Sequence, residues 1–162
     1  SILFISIFLT FPAGAAGSSS NDSKVSDNST ANSYFKLAKV AIKQAKKYQK
    51  KGKKEKSINK FNYALENLIK ANKEDPNNAD ILNLLGFSYR KTGDFIMAEI
   101  YYKQGLEINP THKGINEYLG ELYVQTGRSD LAKERLKVLE NCNCEEYDEL
   151  KEIIAGTKKS KY

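Results

Sequence analysis

The hydrophobic positions divide the chain into a short apolar run, a polar stretch and a long segment with helical periodicity. Residues 2–11 are apolar apart from Ser6 and Thr10, and the small residues Ala13, Gly14, Ala15 and Ala16 follow. The run is about half of the ~20 residues that a bilayer span needs, and it has the form of a secretory h-region before a cleavage site. We read residues 1–15 as a signal peptide lacking its first residues, with cleavage near Ala16. Residues 16–33 are rich in Ser and Asn and hold almost no apolar side chain, so core burial cannot offset the entropy of ordering them. A disordered leader is expected there. From residue 34 onward Phe35, Ala38, Ile42 and Ala45 recur at helical spacing with lysines opposite, and Tyr147, Leu150, Ile153 and Ile154 do the same near the C-terminus.

Between these two stretches the pattern repeats with a period of 34 residues. Leu85 matches Leu119, Gly86 matches Gly120, Tyr89 matches Tyr123, Gly93 matches Gly127 and Ala98 matches Ala132, with Ile81 and Ile115 at the same offset. Each unit reads as two antiparallel helices. Gly86 and Ala98 are small enough for close helix approach, Tyr89 fills the space above them, and Gly93 supplies the positive φ of a tight turn. Asp94 caps the second helix, and Asn109 with Pro110 ends the unit, because proline cannot continue a helix from within.

The set Leu82, Leu85, Gly86, Tyr89, Gly93, Ala98, Tyr102, Gly105 and Pro110 resembles a tetratricopeptide repeat, with Gly105 where that family usually has Ala. The copy at 113–144 keeps Leu119, Gly120, Tyr123, Gly127 and Ala132, but has Leu136 and Leu139 in place of an aromatic residue and Ala, and Cys144 in place of Pro. A degenerate copy at 34–78 has Ala45, Tyr48, Gly52, Ser57, Phe61 and Ala64 in register. Its Pro76 arrives seven residues late, two helical turns, which implies a lengthened second helix. The resemblance implies an all-α fold: a right-handed superhelical stack of antiparallel helix pairs at 34–78, 79–112 and 113–144. A capping helix at 145–157 and a frayed tail at 158–162 complete it. The chain is similar to short, signal-peptide-bearing tetratricopeptide proteins of Gram-negative bacteria, which implies a periplasmic or secreted location.

In such arrays the first helix of each pair lines a groove that takes peptides or partner helices. The resemblance places Lys39, Lys46, Asn83, Phe87, Arg90, Glu117 and Glu121 in that groove, where any single residue is more often solvated scaffold than a contact. The clamp by which some chaperone adaptors hold an acidic C-terminus needs Lys and Asn where this chain has Ile42 and Lys46, so that ligand is not expected.

Charge adds an asymmetry. The 162 residues hold 26 Lys+Arg against 20 Asp+Glu, a net +6, yet residues 36–60 contain eleven Lys and one acid while residues 140–152 contain six acids and one Lys. The lysines either keep an unpartnered end of the stack soluble or attract an anionic envelope surface through an interfacial helix. Nucleic acid is not expected behind a signal peptide. One His and two Cys exclude paired-histidine and four-cysteine zinc sites within the chain. Cys142 and Cys144 read as a disulfide pinning the cap helix, with free thiols and a redox or metal role as alternatives. His112 reads as an exposed loop residue. With no nucleophile–base pair, phosphate loop or carboxylate dyad, the expectation is a non-enzymatic interaction module that binds a protein or peptide. It would use no cofactor, metal or small-molecule substrate. The alternatives are a periplasmic redox or metal-handling factor using Cys142 and Cys144, and a subunit docked to anionic envelope components through the first helix pair.

Overall fold

The computed structural model describes residues 22–160. The expected signal peptide and the cleavage site near Ala16 lie outside them. Among the described residues every regular element is helical: α1 (Asp22–Lys50), α2 (Lys54–Glu74), α3 (Ala79–Thr92), α4 (Phe95–Ile108), α5 (Lys113–Gln125), α6 (Ser129–Leu139) and α7 (Glu145–Ile154). Three hairpins, α1–α2, α3–α4 and α5–α6, follow one another. Helix α2 joins α3, α4 joins α5, and α7 packs on both α5 and α6.

Helix α1 departs from expectation, since it starts at Asp22, inside the segment read as a disordered leader. Ala31 is buried and lies seven residues before Ala38, on the same helical face, which continues the stripe formed by Ala38, Ala41, Ile42 and Ala45. Once that stripe has packed, each added residue gains a backbone bond without a new nucleation cost. Helix α2 has 21 residues against 14 in α4, and Pro76 lies in the turn that follows it.

Two apolar clusters hold the stack. Ala38, Ile42, Ala45, Phe61, Leu68, Leu85 and Phe87 join α1, α2 and α3, while Ala98, Tyr102, Ile115, Leu119, Leu122 and Ala132 join α4, α5 and α6. A leucine as fully buried as Leu85 or Leu119 contributes about 2 kcal/mol by removal from water. Helix α3 lies so close to α4 that a Cβ at Gly86 would stand 2.5 Å from Cε1 of the fully buried Tyr102. The α3–α4 turn depends on Gly93 at φ 93°, after which the Asp94 amide donates to the Tyr89 carbonyl at 3.0 Å. Asp94 Oδ1 then accepts from the Met97 amide at 3.0 Å and caps α4.

His112 is not the exposed loop residue expected. Its Nδ1 accepts the Ile115 amide at 3.1 Å as the cap of α5, its Nε2 lies 3.1 Å from Asp80 Oδ1, and its side chain is 14% exposed. Asn109 ends α4 and leaves His112 at the first capping position available to α5. At the other end Cys142 and Cys144 are joined by a disulfide, with Cα atoms 5.2 Å apart, and Cys144 immediately precedes α7.

Candidate functional site

The first helices of the three hairpins and α7 present one continuous face. Its centre is Phe87 of α3, which is 1% exposed. The Phe61 ring meets it edge-on at 5.9 Å and Tyr118 of α5 lies 5.2 Å away. Three cations surround the same ring: Lys46 Nζ at 4.7 Å, Lys91 Nζ at 6.0 Å and the Arg90 guanidinium at 6.0 Å. Positions recurring along α1, α3 and α5 therefore converge on a single aromatic platform.

Arg90 and Glu121 form the face's central ion pair, Nη1 to Oε2 at 2.9 Å, with side chains 1% and 2% exposed. Among the described residues Arg90 Nε and Nη2 have no hydrogen-bond partner, and the guanidinium lies against one Glu121 oxygen and the rings of Phe87 and Tyr118. Burial opposes its charge, but Tyr102 and Glu121 outweigh that and raise its pKa further.

The groups around the pair are strongly perturbed. Burial, then the carboxylates of Glu121, Glu146 and Glu149, push the Glu117 pKa up to about 8 against the pull of Arg90. Burial, then the neighbouring Arg90 and Lys46, bring Lys91 down to about 8. Lys46 is also lowered by burial, with Glu117 and Glu121 opposing. The face is thus basic along α1 and α3 and acidic along α5 and α7, with Arg90–Glu121 on the seam. Beyond it, Asn83, Asn78, Asp80, Gly114, Glu117 and Glu146 line an open cleft of about 780 Å³.

The expected frayed tail also departs from the sequence reading. Gly156 at φ 70° reverses the chain, and the Thr157 amide donates to the Glu152 carbonyl at 3.1 Å. Lys158 Nζ then lies 2.7 Å from Glu149 and 3.0 Å from Glu152, and Ser160 Oγ donates to Glu121 Oε2, the oxygen that also accepts from Arg90.

Comparison with known proteins agrees with this architecture. The sequence model described as "Tetratricopeptide repeat" matches residues 79–112, the α3–α4 hairpin with its following loop. The "Uncharacterized protein ycf37" of Pyropia yezoensis is 36% identical over 130 residues, covering 76% of this chain and 68% of that protein. The chain belongs to the ycf37 family. Its fold is similar to the solved structure "First TPR of Spaghetti (RPAP3) bound to HSP90 peptide SRMEEVD", with a TM-score of 0.54 and 22% identity over 76% of this chain and 94% of that one.

In this ycf37-family chain the structure brings Lys46, Phe87, Arg90, Glu117 and Glu121 together. Phe87, Arg90, Glu117 and Glu121 are buried there as a floor rather than an open surface. Asn83 lies apart from them in the cleft, with its Oδ1 unbonded, and Lys39 stands outward with Nζ 4.6 Å above the Phe35 ring. Lys91, Tyr118, Glu146, Glu149 and the 158–160 segment were not anticipated. Glu146 and Glu149 are three apart on α7, on the edge facing α5; once α7 is docked, that spacing marks them. The apolar stripe Ala38, Ile42 and Ala45 expected for an interfacial helix is taken up by packing on α2 and α3, so any anionic surface would meet α1 through its exposed lysines rather than through that stripe. Among the described residues no group of three His, Cys, Asp or Glu could hold a metal ion.

Proposed function

We propose that this chain is a non-enzymatic docking module whose α1–α3–α5–α7 face binds a segment of a partner protein. One observation carries the reading: charged side chains of both signs are buried around Phe87, where they shift one another's protonation. Structural cores avoid such arrangements, and binding sites collect them. The RPAP3 repeat of similar fold is bound to an HSP90 peptide, a precedent for a peptide ligand on this fold. A photo-crosslinking residue at Asn83 should give a discrete protein adduct, one that Glu146→Lys in the same cleft abolishes. The same residue at Ile96, 76% exposed on α4, should not. Identical adducts from both positions would refute the docking reading.

A bacterial-envelope address remains part of the proposal. It rests on the apolar run at residues 2–11, on the small residues after it and on the Cys142–Cys144 disulfide, a bond that persists in oxidising compartments. N-terminal sequencing of the mature chain tests it: a start near Ala16 fits, and an unprocessed chain in the cytosol does not. The lysine surface supports a second docking reading, because every lysine of residues 36–60 except Lys46 and Lys60 is exposed, as are Leu37 and Val40 among them. Binding to anionic vesicles that weakens with salt would favour it.

A further inference from the structure

We propose that residues 158–160 are a ligand in cis, occupying the acidic half of the face where a lysine-bearing segment of a partner binds. This rests on the docking reading above and names the chemistry of the partner. The reversal at Gly156 sends the chain away from the axis of α7 and back across α5. Lys158 then bridges two carboxylates, Glu149 and Glu152, and Ser160 reaches the Glu121 oxygen that Arg90 already holds. A tail present only to end a helix has no need to reach the central ion pair.

The contacts are of a releasable kind. Among the described residues none beyond Ile153 belongs to the buried core, and the contacts of the segment seen here are ion pairs and hydrogen bonds. Lys158 keeps 27% of its side chain exposed and Glu152 keeps 53%, which leaves both open to competition from water, salt and other cations. The charge is complementary: the sequence of the tail carries Lys158, Lys159 and Lys161, while Glu121, Glu146, Glu149 and Glu152 lie along α5 and α7. A basic segment of a partner would meet the same carboxylates and must displace the tail to reach Glu121.

The test uses a fluorescent synthetic peptide with the sequence of residues 156–162. It is titrated against the full chain, against the full chain carrying Lys158→Glu and Ser160→Ala, and against a chain ending at Thr157. A tail tethered in cis acts at an effective concentration on the order of millimolar, so both altered chains should bind the peptide about tenfold more tightly than the unaltered one. Binding should weaken as salt rises and disappear when Glu149→Gln and Glu152→Gln are added to the shortened chain, with helicity by circular dichroism unchanged. Equal affinity for all three chains, no binding to the shortened chain, or binding indifferent to salt would overturn the proposal. Crosslinking from Asn83 reports on the docking reading separately. Absent adducts with a normal peptide titration would count against docking alone, and the reverse result against the tail alone.

Discussion

Glu117→Gln isolates the most unusual group on the candidate face. The wild-type carboxyl titrates near 8, chiefly through burial and then through Glu121, Glu146 and Glu149. The folded state therefore keeps a proton that the unfolded chain releases near 4.3. Below that pH both states are protonated, and Glu and Gln should be equivalent. Between there and about 8, wild-type stability falls with each rise in pH, and above 8 the loss is complete. Holding the carboxylate ionised costs at most about 5 kcal/mol at about 1.4 kcal/mol per pKa unit. With water entry and rearrangement of Lys46, the expected difference at pH 8.5 is about 2–4 kcal/mol in favour of Gln. Urea unfolding midpoints should coincide at pH 4 and separate by about 1–2 M at pH 8.5, for an m-value of about 2 kcal/mol/M. Lys91 works in the opposite sense, since its lowered pKa lets stability recover between about 8 and 10.5, and it does so in both proteins. A difference between them that does not change with pH would refute the assignment of Glu117.

Gly86→Ala and Gly120→Ala should part company although they occupy the same repeat position. The new Cβ at Gly86 meets the interior of the Tyr102 ring, with Cγ at 2.9 Å, whereas at Gly120 it meets the movable methyls of Leu150 at 2.6 and 2.7 Å. After about 1 kcal/mol gained in helix propensity, Gly86→Ala should still lose about 1–2 kcal/mol and Gly120→Ala should lie near zero, read as thermal midpoints. Glu121→Ala leaves Arg90 charged and buried and should cost about 3–5 kcal/mol, while the paired exchange Arg90→Met with Glu121→Leu should recover most of it in urea unfolding. Reducing the Cys142–Cys144 bond removes a three-residue loop constraint worth about 1.5 kcal/mol. Calorimetry with and without reductant should show a midpoint lower by roughly 3–6 °C, and an unchanged midpoint would mean the bond carries no stability.

The repeat units were legible because each defining residue meets a local requirement. Gly93 needs a positive φ, Asp94 a cap and Gly86 a close approach; the first two follow from neighbours in sequence and the third from Tyr102 in the same hairpin. Convergence on Phe87 was partly legible, since the repeat register, 34 residues from Phe87 to Glu121 and 41 from Lys46 to Phe87 across the longer first unit, places Lys46, Phe87, Arg90, Glu117 and Glu121 on equivalent faces. Their burial was not. It depends on how tightly successive first helices approach, and that is set by Gly105 against Ile115 and by Tyr118 against Phe87, contacts between repeats. The ordered leader was hidden by composition: Ser and Asn obscured a single Ala31 in phase with the α1 stripe. The docked tail was hidden for a different reason, because no local pattern in residues 156–160 encodes a partner 39 positions earlier at Glu121.

Burial and charge together decide what kind of exchange this face can support. An open acidic groove would attract any cation at long range and hold none of them firmly, because water would screen each pair. Here Glu117 is kept protonated by its surroundings, Glu121 is committed to Arg90, and Glu149 is engaged by the tail, so the charge presented at neutral pH comes chiefly from Glu146 and Glu152. A basic side chain replacing the tail is drawn by that charge but discriminated by fit; it must match the geometry at Glu149 and Glu121 and bring enough positive potential near Glu117 to favour loss of its proton. Such binding releases a proton and tightens as pH rises toward about 8, where the carboxyl of the free protein ionises without help. The same burial that destabilises the fold over this pH range therefore makes the face selective for a cation that fits.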